Sequence, residues 1–206
     1  VGSTLARRAE PRVHLVVGLG NPGKQYERNR HNVGFMVVER LAQSHALPAF
    51  KEKFDGLWTK GEVVVGGARH PVALLLPHTF MNLSGDSVQP AAVFLKVDPG
   101  HVIVVHDELD LPWQNVRLKV GGGHAGHNGL RSIIQRLGTP DFGRVRVGIG
   151  RPPPGFQGDV ADWVLSDFDA MERAELPAVV DRACAAVERV IAGGVVAAMK
   201  VVNARR

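Results

Sequence analysis

Short β-branched runs closed by glycine or proline alternate along this chain with stretches whose apolar residues recur every three or four positions. That alternation confines it to folds in which strands and helices follow one another, because strands buried on both faces need helices to cover them. Val13-His-Leu-Val-Val-Gly-Leu19 is the first such run, stopped by Gly-Asn-Pro-Gly, and it reads as a buried strand. Over residues 31–46, Val33, Met36, Val37, Leu41 and Ala42 fall at helical spacing, with Glu39 and Arg40 on the other side. Residues 57–65 and 72–76 are strand-like, and Gly66-Gly67 between them points to a hairpin. Ser84 opens a second helix that runs to about residue 96, with Asp86 in its first turn and Pro90 inside it.

Residues 101–106 form another buried strand, and residues 115–120 alternate as a strand does until Gly121-Gly-Gly123 breaks them. Asn128 can cap a helix over residues 129–137. Residues 144–149 alternate basic and apolar side chains, which predicts a strand with one charged face. In the last third, Leu176, Val180, Ala183, Val187 and Val190 make one helical stripe to pack on the sheet, with Cys184 beside it in the core. The class is α/β, and the hairpin signals predict a mixed sheet. The length of 206 residues suits one domain, residues 12–206, preceded by a loose extension or foreign remnant over residues 1–11.

Composition removes several functions. With 45% apolar and 22% charged residues the chain is no disordered polyanion or polycation. A single cysteine, Cys184, permits neither an internal disulfide nor a thiolate zinc centre. No run of 18 apolar residues offers a membrane-spanning helix, and residues 1–11 hold Arg7, Arg8 and Glu10 without the apolar stretch of a signal peptide. A cytoplasmic location is the expectation. The formal charge of +5 is concentrated: residues 116–151 carry Arg117, Lys119, Arg131, Arg136, Arg144, Arg146 and Arg151 against Asp141 alone. That excess is either a solvated basic face or a footprint for a polyanion such as nucleic acid.

Ligands of open α/β sheets bind beyond the carboxyl ends of strands. Four loops there carry unusual polar residues: Gly18-Leu-Gly-Asn-Pro-Gly23 continuing to His31-Asn32; Pro77-His-Thr-Phe-Met-Asn-Leu-Ser-Gly85; His106-Asp-Glu-Leu-Asp110; and Gly121-Gly-Gly-His-Ala-Gly-His-Asn-Gly129. The glycine density of the last points to backbone approaching a ligand closely. The first loop matches G-x-G-x-x-G, yet Pro22 removes a backbone donor that a pyrophosphate needs, and Glu39 lies in a helix rather than ending a second strand. No phosphate-binding P-loop and no G-x-S-x-G elbow occur. His124 and His127 have the spacing of half a metal site, but paired histidines in a glycine loop more often bond to backbone. What remains is a histidine such as His31, able to act as a general base toward water, and an aspartate such as Asp107 to hold its other nitrogen. Asn21, Asn82 and Asn128 supply uncharged amides suited to a peptide backbone or a developing oxyanion.

These loops resemble the four signatures of the bacterial-type peptidyl-tRNA hydrolases. Val16-Val-Gly-Leu-Gly-Asn-Pro-Gly23 with Tyr26 and Arg30-His-Asn-Val-Gly-Phe35 is similar to the first, and Thr79-Phe-Met-Asn-Leu-Ser-Gly85 to the second. His106-Asp-Glu-Leu-Asp-Leu-Pro112 and Gly121-Gly-Gly-His-Ala-Gly-His-Asn-Gly-Leu-Arg131 resemble the third and fourth, and Phe142-Gly-Arg-Val-Arg-Val-Gly-Ile-Gly150 continues the likeness. The resemblance spans about residues 13 to 200. It implies a monomeric single domain with a twisted mixed sheet sandwiched between helices, and hydrolysis of the ester joining a peptide to the 3′ end of tRNA, without metal or organic cofactor. It further implies His31 as catalytic base with Asp107 as partner. Asn21, Tyr26, Met81, Asn82, His127 and Asn128 would then hold the peptide and terminal adenosine, and Lys119 and Arg146 the tRNA phosphates.

The chain departs from the family pattern at Leu76, where Lys is usual, and at Trp113-Gln114, where Pro-Gly is common. Two other classes compete. A non-catalytic RNA-binding relative on the same scaffold is disfavoured by the complete set of His31, Asp107 and three asparagines. An esterase for small esters is disfavoured by the basic segment, which a small neutral ester does not need.

Overall fold

The structure, a computed structural model, describes residues 12–204, so the expected N-terminal extension lies outside the described residues. Seven strands build one mixed sheet: β1 (His14–Gly18), β2 (Lys51–Lys53), β3 (Gly56–Val65), β4 (Ala68–Pro77), β5 (Val102–Glu108), β6 (Val116–Val120) and β7 (Gly143–Gly148). Their order is β2-β3-β4-β1-β5-β7-β6. The four central strands β4, β1, β5 and β7 run parallel, while the β3–β4 hairpin, β2 and β6 add antiparallel edges. The chain thus builds one side of β1 first, then crosses to the other side after β4.

Strand periodicity decides which helix covers which face. In β1, Val16 joins the core under α1 (Val33–Ser44), whereas Leu15 and Val17 join the core under α2 (Ser84–Leu95) and α3 (Asn128–Leu137). In β5, Ile103 and Val105 divide from Val102 and Val104 in the same way. A short helix, α4 (Val160–Val164), lies near the turn that leads into α1. The long α5 (Ala170–Gly193) and the terminal α6 (Val195–Val202) complete the α1 layer. The expected α5 stripe is buried at Val180, Ala183, Val187 and Val190, with Leu176 packed at its margin. Cys184 is buried as expected, its Sγ 3.4 Å from the Val37 carbonyl oxygen, and burial pushes its thiol up to about 12.

The glycines of the first loop are packing residues. A Cβ on Gly34 would stand 2.5 Å from the Leu19 amide nitrogen and overlap the Val105 carbonyl oxygen, and one on Gly20 would stand 2.8 Å from the Phe35 ring. The first turn of α1 therefore lies directly on the ends of β1 and β5, closer than any side chain allows. This approach accounts for two glycines of the G-x-G-x-x-G, since a Cβ on Gly18 would likewise overlap the Gly34 carbonyl oxygen; Gly23 is the exception, required by its φ of 113°.

Four expectations need correction. Strand β2 escapes the sequence reading because its three residues Lys51, Glu52 and Lys53 are all exposed and carry no apolar alternation. The charged face expected on β7 is only partly solvated: Arg144 is 2% exposed, and its guanidinium donates to the carbonyl oxygens of Gly122 and Gly123 at 2.8 and 2.7 Å. The cap of α3 is His127, whose Nδ1 accepts from the amides of Gly129 and Leu130, and not Asn128. The glycine loop also has a folding explanation: Gly121, Gly122 and Gly126 take positive φ, and Gly129 leaves no room for a Cβ beside Met81 Sδ at 2.6 Å.

Gly34→Ala tests the close approach. It is expected to destabilise the fold by about 3 kcal/mol, the upper end for overpacking, which in a chain of this size lowers Tm by roughly 6–12 °C. Gly100→Ala, where a Cβ meets nothing within 4 Å, serves as the neutral control. Equal melting temperatures for the two variants would refute the packing argument.

Candidate active site

Two neighbouring strands, β1 and β5, end side by side, and the loops that leave them bring the candidate residues together. The loop after β1 folds back on a 3₁₀ turn, Arg30–Asn32. Asn32 clasps it: its Oδ1 accepts from the Asn21 amide and its Nδ2 donates to the Asn21 carbonyl oxygen, both at 2.9 Å. Asn21 in turn accepts from the Met81 amide through Oδ1 at 2.8 Å, which ties the second signature to the first. With its oxygen engaged, the Asn21 side chain has its NH₂ group left to donate. Asn32 was not singled out from sequence, although it stands next to His31.

His31 sits in the middle of that turn, and Asp107 is the penultimate residue of β5. Nδ1 of His31 lies 2.9 Å from both carboxylate oxygens of Asp107. A carboxylate accepts, so the Nδ1 proton faces Asp107 and the lone pair is on Nε2. His127 approaches the same carboxylate from the glycine loop, its Nε2 2.9 Å from Oδ1. Because its Nδ1 already accepts two amides as the α3 cap, Nε2 carries the proton and donates. The capping role thereby fixes the tautomer. His124 is also a backbone bonder, its Nδ1 accepting from the Gly126 amide.

These contacts set the acid–base state. Burial works against the imidazolium of His31, but the Asp107 charge and hydrogen bond outweigh it and raise its pKa above the usual 6.5. Burial likewise pushes the Asp107 carboxyl up, while His31 and His127 together hold it well below the usual carboxylate range. His106, unmarked by the sequence reading, donates from Nδ1 to the Asp107 carbonyl oxygen at 2.7 Å. Complete burial, with His127 nearby, lowers its pKa to about 3, so it stays neutral.

The pair opens on a cavity of about 320 Å³ lined by His31, Asp107, His127 and Asn128 and covered by Val160, Ala161 and Val164 of α4. Asn128 is exposed, and its Oδ1 accepts from Arg131 Nη2 at 2.9 Å, leaving its NH₂ to donate. Asn21 opens instead on an adjoining trough with Asn32, Phe35 and His78. Met81 lies beneath, against Gly129, while Asn82 is exposed and Tyr26 half-buried outside both hollows. A larger groove between residues 113–116 and α5 holds no acid–base pair.

The basic segment is more compensated than its charge count implies. Arg117 donates to the Asn203 carbonyl oxygen, Arg136 pairs with Asp86 and Arg151 with Asp110. Arg146 lies 3.8 Å from Glu108, itself at the cavity wall. Lys119 makes no ion pair among the described residues; it stands opposite Arg144 in the β6–β7 ladder, its ammonium beside Gly122. One nitrogen or oxygen each of His31, Asp107 and His127 lie within 4.8 Å of one another, the spacing of a metal cluster. Those groups already satisfy one another by hydrogen bonds.

A family model described as peptidyl-tRNA hydrolase matches residues 15–206. The peptidyl-tRNA hydrolase of Sorangium cellulosum is 59% identical over 191 residues, covering 93% of this chain and 84% of that protein. That of Nitratidesulfovibrio vulgaris is 46% identical, covering 93% and 97%. The crystal structure of the peptidyl-tRNA hydrolase from Acinetobacter baumannii superposes with a TM-score of 0.83 at 41% identity, covering 93% of this chain and 95% of that one. A peptidyl-tRNA hydrolase in complex with n-propanol gives the same score, identity and coverage. Together with a paired histidine and aspartate at the strand ends, these likenesses establish that the chain belongs to the peptidyl-tRNA hydrolase family and is an enzyme.

Proposed function

We propose that His31 is the general base with which this enzyme hydrolyses the ester joining peptide to tRNA. The single observation that carries the assignment is the 2.9 Å contact of His31 Nδ1 with the buried Asp107 carboxylate, which turns the unprotonated Nε2 toward the substrate side. Nε2 takes a proton from water as the water oxygen attacks the ester carbonyl carbon. Asp107 stabilises the imidazolium that forms. The tetrahedral intermediate expels the ribose oxygen, which receives that proton from His31, giving a peptide carboxylic acid and a free tRNA hydroxyl. The free NH₂ group of Asn128, at the cavity wall, donates to a substrate carbonyl oxygen or to the oxyanion, and that of Asn21 donates to substrate lying along the separate trough. Met81, Asn82 and Tyr26 shape the surroundings, and His127 acts through Asp107. Lys119 and Arg146 are the phosphate contacts of a monomer working in the cytoplasm without a metal.

His31→Ala is expected to lower kcat by about 10²–10⁴-fold, the range for a positioned general base, in a protein that still folds because His127 continues to pair with Asp107. Near-normal turnover of that variant on N-acyl-aminoacyl-tRNA would sink the assignment and give the role of base to another group. Asp107→Asn loses less, because the base remains and only its orientation suffers.

The pH profile carries a sign. Catalysis needs neutral His31, so kcat/KM rises with pH through the His31 pKa, and the midpoint of that limb lies above 6.5. Asp107→Asn withdraws the interactions that raise it, so the limb moves to lower pH. A limb that stays put in Asp107→Asn assigns the titration to another group.

Binding weakens as salt rises, and Lys119→Ala flattens the slope of log affinity against log salt by roughly one unit or less. Arg146→Ala has the smaller effect, because Glu108 already neutralises part of its charge. A short ester lacking the tRNA body is indifferent to both variants; equal losses on both substrates would place these residues in the catalytic pocket. EDTA leaves hydrolysis of a folded tRNA substrate unchanged, and activity lost to EDTA and restored by zinc would assign a metal to the His31, Asp107 and His127 cluster.

A further inference from the structure

Arg30 precedes His31 in the same 3₁₀ turn and is 3% exposed, so it cannot reach substrate. Every hydrogen-bond and stacking partner of its side chain lies in one distant stretch, from α4 through the following turn to the first turn of α5. Nη1 donates to Ser166 Oγ at 2.6 Å and to the Asp167 carbonyl oxygen at 2.5 Å. Nη2 donates at 2.5 Å to Glu172 Oε2, an oxygen that also caps α5 by accepting from the Asp169 amide. The guanidinium lies over the Trp163 ring, 3.7 Å from its centroid. The main chain follows the same path: the Arg30 amide donates to the Ser166 carbonyl oxygen at 3.0 Å, and Asn29 forms a β-bridge with Asp167. Trp163 is itself anchored, its Nε1 donating to the Gly150 carbonyl oxygen at 2.9 Å.

Burying a guanidinium carries a desolvation cost that an apolar side chain avoids, so adhesion alone does not call for arginine here. A planar fork with several fixed donors sets the distance and the rotation between two segments, and a flat cation stacked on indole sets the third direction. The neighbours on both sides belong to the cavity: His31 on the turn, and Val160, Ala161 and Val164 on α4. We propose that Arg30 is a positioning residue that seats α4 over the cavity and His31 within it as one unit, so that the base is in its working place only while α4 is docked. This inference rests on the reading of His31 as the base.

The test measures kcat, KM and Tm on N-acyl-aminoacyl-tRNA for Arg30→Lys, Trp163→Leu, Trp163→Phe and the double variant Arg30→Lys/Trp163→Leu. Arg30→Lys keeps the charge and loses the fork; Trp163→Leu loses the stacking surface and removes no charge. Each is expected to lower kcat about 10–100-fold, the scale on which a small misplacement of a catalytic group acts, with KM little changed. Trp163→Phe, which keeps a flat ring under the guanidinium, recovers most of the kcat lost in Trp163→Leu. The double variant loses no more than the worse single one, because both break the same unit. A rise in KM with kcat intact, independent losses that multiply, or a kcat that falls only as the folded fraction falls would each overturn the proposal. If Arg30→Lys does not fold, the two Trp163 variants decide alone. Activity retained in His31→Ala removes the base assignment instead, so the two failures are distinguishable.

Discussion

One buried carboxylate organises the working end of this molecule. Asp107 is nearly inaccessible to water, and an unpaired charge there would be prohibitive. Two imidazoles from two different loops satisfy it, one from the turn after β1 and one from the start of α3. Each loop is therefore held by what it gives to Asp107, and neither can swing away without leaving a charge unpaired in the interior. Asp107 itself is fixed by its strand, which lies between β1 and β7 in the middle of the sheet. The rigidity of the parallel core is passed to the His31 and His127 imidazoles through their hydrogen bonds to Asp107.

The division of labour between the two histidines comes from backbone geometry. His127 must accept amide hydrogens at the head of α3, so it has one lone pair committed and one proton to offer. His31 has no such duty, and the lone pair opposite Asp107 stays available. Chemically identical side chains on the same carboxylate differ in their free nitrogen because one of them caps a helix, and only His31 is left with an uncommitted lone pair for the proposed base.

Much of this was legible in the sequence, for physical reasons. The strands with β-branched runs and the helices with apolar stripes follow from burial, which leaves a period in the chain. His31 stands out because it lies on a loop after a strand, and Asp107 because an acid next to an apolar run is costly to bury; the strand in fact continues through Asp107 to Glu108, beyond the expected end at His106. Strand β2 left no trace, since an exposed edge of Lys51, Glu52 and Lys53 buries nothing. The burial of Arg144 and Arg30 was equally hidden: Arg144 read as part of a charged face, Arg30 drew no reading of its own, and their partners are carbonyl oxygens and residues far along the chain that no local pattern reveals. The same blindness made the basic segment look like a freer cationic face than it is. His127 lines the cavity, and its hydrogen bond to Asp107 is a further contact that no local pattern in the sequence shows.

Cys184 gives the fold a built-in reporter. It is the only thiol in the chain, it is buried between α5 and α1, and burial keeps it protonated far above neutral pH. A thiol-directed reagent meets a reactive sulfur only during the moments when α5 lifts from the sheet. The pace of labelling at this one native thiol therefore follows the openings of the native state, with no substitution needed.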